Sequence, residues 1–243
     1  MTEDFVDLIN INKYEVLRYL EYKGQDINDN LNSIIDECRT LTKEKINPRY
    51  ISRVYSIKRY ISSDNKDDNF IQLDGTNLKL YSRDICELLK NSDECILMAC
   101  TLGIEIEKEI RKYSYTDLTK GIIVDSCATT AIEEVCDLVQ EKVEKGFLEE
   151  GKYITTRYSP GYGDLSIDKN EDIINLLNAQ KEIGLTITES KIMIPRKSVV
   201  AIIGVTNSLI KQEKKSCKSC KNYSTCKFKR EVDGCGYKNI HRG

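Results

Sequence analysis

The sequence predicts an α+β protein: a mixed, mainly antiparallel sheet packed with helices, after a helical N-terminal region and before a cysteine-rich C-terminal tail. Three observations predict it. Apolar residues recur at helical spacing in the first 60 residues. An Asp-Gly hairpin signal and two short apolar runs read as strands. Their order lacks the regular β-α-β alternation that builds a parallel sheet.

The segment Tyr14–Leu20 reads as the first helix, with Asn12 as its N-cap and Gly24 as a stop. Leu31, Ile34, Ile35 and Cys38 mark a second amphipathic segment. Residues 62–69 are polar enough for an exposed loop. Phe70–Leu73 and Leu78–Tyr81 flank Asp74-Gly75, a dipeptide suited to positive φ, and read as a hairpin. Cys95–Thr101 is a buried strand, followed by a helix from Ile104 to Tyr113. Val124, Ala128, Ala131, Val135, Leu138 and Val143 fall near one face of a helix over 122–145 that Gly146 can end. An extended piece spans 153–157, and a helix spans 171–181 before Gly184. Val199–Val205 is β-branched and apolar, a central strand. We divide the chain into 1–60, 61–210 and 211–243.

Composition excludes several functions. A formal charge of −2 and a pI near 5.7 give no electrostatic footprint for nucleic acid. No apolar run approaches the roughly 18 residues of a membrane span, and the acidic start Met1–Phe5 is unlike a signal peptide. A cytoplasmic location follows, where thiols stay reduced. The lone histidine, His241, argues against Ser-His or Cys-His catalysis and against a histidine-ligated corrinoid carried by this chain.

The segment Arg157-Tyr158-Ser159-Pro160-Gly161-Tyr162-Gly163-Asp164 carries the first chemistry. Pro160-Gly161 presets a tight turn that leaves backbone groups open to a ligand. Arg157 offers a two-pronged grip on a carboxylate. Tyr162 suits an aromatic ring or a sulfonium cation. Read alone, such a turn is more often a plain surface turn than a site. In Leu185–Ser198, Glu189 suits ribose hydroxyls or a ligand amine, or else is a solvated charge near a strand end. Composition does not choose between these.

Arg157-x-x-x-Gly161-Tyr162, followed by Thr188-Glu189-Ser190-x-x-Met193-x-Pro195-x-x-Ser198-Val199, resembles the activation domain of cobalamin-dependent methionine synthase. Glu15–Gly24 and Thr101-Leu102-Gly103 resemble a small, free-standing version of it from anaerobic bacteria. The resemblance implies that residues 61–210 form a core binding S-adenosylmethionine. Arg157 would meet the methionine moiety, Ser159 would stand where backbone contacts dominate, Gly161 and Tyr162 would form the turn, and Glu189 would lend support. It also implies a partner, a cobalamin-dependent methionine synthase lacking its own activation domain, whose cob(II)alamin is reductively methylated with electrons from a carrier such as flavodoxin or ferredoxin. The long domains continue Gly-Tyr with a proline and a Cys-Pro pair and place an aromatic pair after Ser-Val. Here Gly163–Ser166 and Ile202-Ile203 stand instead.

Ten cysteines remain to be placed. Cys38, Cys86, Cys95, Cys100, Cys127 and Cys136 are scattered and read as small core hydrophobes. Cys217-x2-Cys220-x5-Cys226-x8-Cys235, set among lysines, supplies four thiolates for zinc or an iron–sulfur cluster. Spacing accepts either metal, and unligated thiols are the alternative; the electron that reactivation needs favours iron–sulfur over zinc. A rival function follows: a metal- or iron–sulfur-bearing electron-transfer or interaction protein that works through these cysteines. A small-molecule methyltransferase has less support, because no G-x-G-x-x-G loop opens a β-α unit.

Overall fold

A computed structural model of the chain describes residues 6–62, 69–208 and 224. The four C-terminal cysteines and most of the 62–69 loop lie outside the described residues. The described residues divide into two compact units, one holding 6–48 and 102–138, the other 49–101 and 139–208. Neither unit is one continuous stretch of chain, because the chain passes between them at 48/49, 101/102 and 138/139.

The first unit is helical. Helix α1 (Lys13–Tyr19) starts at Asn12, whose side chain accepts from the backbone N–H groups of Tyr14 and Glu15, and it stops at Leu20, ahead of Gly24. Helix α2 (Asp29–Lys45) is capped by Asn28 and buries Ile35, Cys38 and Thr42. Helix α4 (Glu105–Thr116) packs on α2. The long helix α5 (Leu118–Glu149), whose residues up to 138 belong to this unit, continues through Gly146, because glycine inside a helix costs about 1 kcal/mol and is outweighed by the turns on either side. Cys127, Ala128, Ala131 and Val135 on α5 are fully buried.

The second unit carries the sheet, with strands in the order β3-β2-β1-β4-β8-β5. These are β1 (Arg49–Tyr60), β2 (Phe70–Leu73), β3 (Lys79–Tyr81), β4 (Glu94–Thr101), β5 (Tyr153–Ile154) and β8 (Ser198–Thr206). Every pairing is antiparallel. The helical reading of the first 60 residues therefore ends at Lys45. Residues 49–60 form the longest strand, with Ile51, Tyr55 and Ile57 alternating onto one sheet face.

On that face, helices α3 (Arg83–Leu88), α6 (Lys169–Leu177) and α7 (Ala179–Ile183) close a core of Ile85, Leu89, Leu97, Val200, Ile202, Ile173 and Leu177. The single helix expected over 171–181 is two, because Asn178 adopts a left-handed conformation between α6 and α7. Gly184, at φ +72°, ends α7. On the opposite face, Lys142, Val143, Gly146 and Phe147 of α5 line a groove with Tyr50, Ser52, Val54 and Ile96. A short hairpin, β6 (Thr186–Ile187) with β7 (Met193–Ile194), stands apart from the main sheet.

Of the scattered cysteines, only Cys86 is partly exposed. Burial pushes the Cys95 and Cys127 thiols up to about 12, so they stay protonated and inert, as core hydrophobes should. Among the described residues no helix is long and apolar enough to cross a membrane.

Candidate functional site

Ladder register explains how Arg157 is presented. Tyr153 pairs with Thr206 and Ile154 with Val205, and the Thr155 N–H donates to the Gly204 carbonyl at 2.9 Å. Three residues later the register has moved by one: Tyr158 and Ile202 exchange both backbone hydrogen bonds, at 2.9 and 2.8 Å. Thr156 and Arg157 therefore face Ile203 together, which is a β-bulge.

The bulge decides where the side chains go. Thr155 lies on the sheet face that carries Leu89, close to Gly204. Strict alternation would send Arg157 to that same face, among Val200, Ile202 and Leu97. A cation there would be buried without partners, at a cost of several kcal/mol. The extra residue instead puts Tyr158 into the apolar cluster. It also lets the Arg157 guanidinium Nη1 donate to Gln140 Oε1 of α5 at 3.3 Å.

Beyond Arg157 the chain turns sharply. The Tyr162 N–H donates to the Ser159 carbonyl at 3.3 Å, the Gly161 N–H to the Leu165 carbonyl at 2.9 Å, and the Leu165 N–H to the Tyr162 carbonyl at 3.1 Å. Gly161 has φ +92°, a conformation open to glycine and strained for other residues. Pro160 is buried beneath the turn, whereas the Tyr162 side chain is 61% exposed. Arg157, Ser159, Gly161 and Tyr162 thus share one continuous segment. Glu189 lies elsewhere, exposed at the tip of the β6–β7 hairpin. That hairpin is tied to α6 by the Lys191–Glu171 ion pair.

Ile202 and Ile203, at the positions of the aromatic pair in long domains, are both fully buried in β8. Neither side chain offers a wall to a ligand. Among the described residues no group of histidine, cysteine and acidic side chains is arranged to hold a metal.

Several residues of the site were given no role by the sequence. Gln140 and Asp84 come from distant helices, and Tyr158 sits unremarked inside the turn motif. Asp164 shows only as part of a departure from the long form. Its carboxylate accepts from the Ser82 hydroxyl at 2.5 Å and from the Arg83 and Asp84 N–H groups at 2.7 and 3.3 Å. Partial burial raises its pKa, but these donors outweigh burial and hold it below the ordinary aspartate value.

A depressed folded-state pKa means that this carboxylate stabilises the fold fully above the unfolded value of about 3.9. That contribution is lost as pH falls through the folded value. An NMR titration of the Arg83 amide should show a midpoint below about 3.9; a midpoint at or above that value would contradict the assignment.

A sequence profile described as the activation domain of vitamin B12 dependent methionine synthase matches residues 83–208. No curated protein is significantly similar in sequence. Among solved structures, the chain resembles one described as the crystal structure of the MetH reactivation domain bound to AdoHcy. Identity is 14%, the TM-score is 0.59, and the match covers 82% of this chain and 75% of that one.

Proposed function

The chain belongs to the family of the vitamin B12 dependent methionine synthase activation domain, and on that premise we propose that it binds S-adenosylmethionine at the turn 157–162 to support reactivation of a cobalamin-dependent methionine synthase. The observation that carries the reading is the bulge at Thr156–Arg157. It aims the cation that the ligand's carboxylate needs away from the apolar layer and beside an open turn.

The donor set fits the ligand. Arg157 supplies a charged fork for the carboxylate, the turn supplies backbone groups, and the exposed Tyr162 ring supplies a face for the adenine or the sulfonium. Glu189 is proposed as a support reached from the hairpin. The fold likeness to a domain bound to AdoHcy is consistent with a ligand of this class.

When bound, S-adenosylmethionine supplies a methyl group on a positive sulfur. This chain contributes positioning: the guanidinium fixes one end of the ligand, and the turn fixes its depth. No side chain of the turn is a base or a nucleophile for the transfer, so the effect expected of the site is one of orientation. The cobalamin that accepts the methyl group is held by the methionine synthase, and the electron comes from a separate reductant.

Calorimetric titration of the full chain with S-adenosylmethionine and with S-adenosylhomocysteine tests the reading. Saturable binding of both is expected. Absence of heat and of any thermal shift with either ligand would sink it.

A further inference from the structure

We infer that Asp164 and Asp84 are positioning residues for the ligand turn: Asp164 pins its far end to the first turn of α3, while Asp84 holds Tyr158 at its near end in the space left by Gly163. The inference rests on the reading of residues 157–162 as the ligand turn, and it names what sets the shape of that turn.

Asp164 caps a helix from far away in sequence. Helix α3 already has its own N-cap, Ser82, whose hydroxyl accepts from the Ile85 N–H at 3.0 Å. That hydroxyl then donates its proton to Asp164 Oδ1. The Arg83 N–H, at the exposed start of α3, donates to the other carboxylate oxygen. Three donors on two oxygens fix the orientation of the carboxylate as well as its position. Ser82 is buried, so the anchor point belongs to the rigid part of the unit.

The near end is held by Tyr158. Its hydroxyl lies 2.8 Å from Asp84 Oδ2 and 3.0 Å from the Tyr162 carbonyl. The single phenolic proton serves the charged carboxylate first, as the stronger acceptor. Burial and the neighbouring carboxylate both push the phenol pKa up, so the proton stays on Tyr158. The hydroxyl thereby spans the turn from beneath, between α3 and the backbone of Tyr162.

Gly163 completes the device. A Cβ on Gly163, which has φ +54°, would lie 2.0 Å from Asp84 Oδ2 and 2.2 Å from the Tyr158 hydroxyl. Any side chain there would displace the bond between them. Gly163 and Asp164, both within the Gly163–Ser166 stretch where this chain departs from the long domains, each have a part in the latch. Gly163 leaves room for it, and Asp164 fastens the end. A different sequence solves the same problem of holding an exposed turn still.

The test uses the full chain and reads hydrogen exchange at the Gly161 and Leu165 amides together with S-adenosylmethionine affinity. Asp164→Ala, Asp84→Ala and Gly163→Ala are each expected to speed exchange at these two amides about tenfold and to weaken binding about tenfold, one bond's worth. Amides of β4 and β8 should be unchanged. Asp84→Asn keeps an acceptor for the Tyr158 hydroxyl and should restore both readouts, which a merely structural loss would not do. Asp164→Asn should not restore them, because its amide group would turn a donor toward a donor. Unchanged exchange in the alanine variants, or wild-type affinity in them, would overturn the inference. If the wild type itself fails to bind, the ligand reading falls, and the exchange rates alone still decide whether Asp164 and Asp84 hold the turn.

Discussion

Arg157→Ala is expected to weaken S-adenosylmethionine binding about 100-fold while the protein stays folded. Hydrogen bonds to charged groups contribute about 1.5–3 kcal/mol each, and about 2.8 kcal/mol corresponds to a factor of 100. The fold should survive, because the guanidinium points away from the apolar cluster and its bond to Gln140 is long, at 3.3 Å. Arg157→Lys keeps the charge but loses the fork, so it should recover only part of the affinity. Calorimetry on the three proteins measures this directly. Equal affinity in the alanine variant would show that the carboxylate is held elsewhere.

The largest effect on stability is expected from Gly204→Val. Gly204 lies in β8, opposite Cys95 of β4. An added Cβ would lie 2.5 Å from Ser92 Oγ, 2.8 Å from Leu89 Cδ2 and 3.0 Å from Thr155 Cγ2. Three neighbours from three segments cannot all withdraw without opening the core. The Gly204 N–H also donates to Thr155 Oγ1 at 2.8 Å, and a displaced threonine would lose that bond. Overpacking of this kind costs about 3 kcal/mol, which lowers the melting temperature of a chain this size by about 6–12 °C. Gly204→Ala should cost about 1–2 kcal/mol by the same argument. Thermal denaturation followed by circular dichroism reads both, and an unchanged midpoint for the valine variant would mean that the pocket relaxes freely.

What the sequence made legible was local. Strands β4 and β8 are short runs of apolar residues buried on both faces, and such runs identify themselves. The hairpin at Asp74-Gly75 was legible because Gly75 takes the positive φ that the turn requires. Strand β1 was missed because Arg49, Arg53 and Arg59 interrupt the period-2 pattern of Ile51, Tyr55 and Ile57. The strand is half-exposed along most of its length. The break at Asn178 was missed because a left-handed asparagine leaves no mark on composition.

The candidate site divides in the same way. Arg157, Gly161 and Tyr162 were legible because they stand close together in a motif. Gln140, Asp84 and Ser82 were not, because they reach the turn through the fold from 17 to 82 residues away. The burial of Ile202 and Ile203 could not be read either, since a motif position does not say which way a side chain faces.

The bulge at Thr156–Arg157 also sets which kinds of genetic change the site can survive. A substitution at Thr156 leaves the count of residues against Ile203 unchanged, and Arg157 keeps its aim. Deletion of Arg157 removes the cation, whereas deletion of Thr156 leaves Arg157 alone against Ile203, still on the face away from the apolar cluster, with Tyr158 still opposite Ile202. Descendants of this chain can therefore lose a residue at this point and keep the aim of the arginine, provided that the residue lost is Thr156.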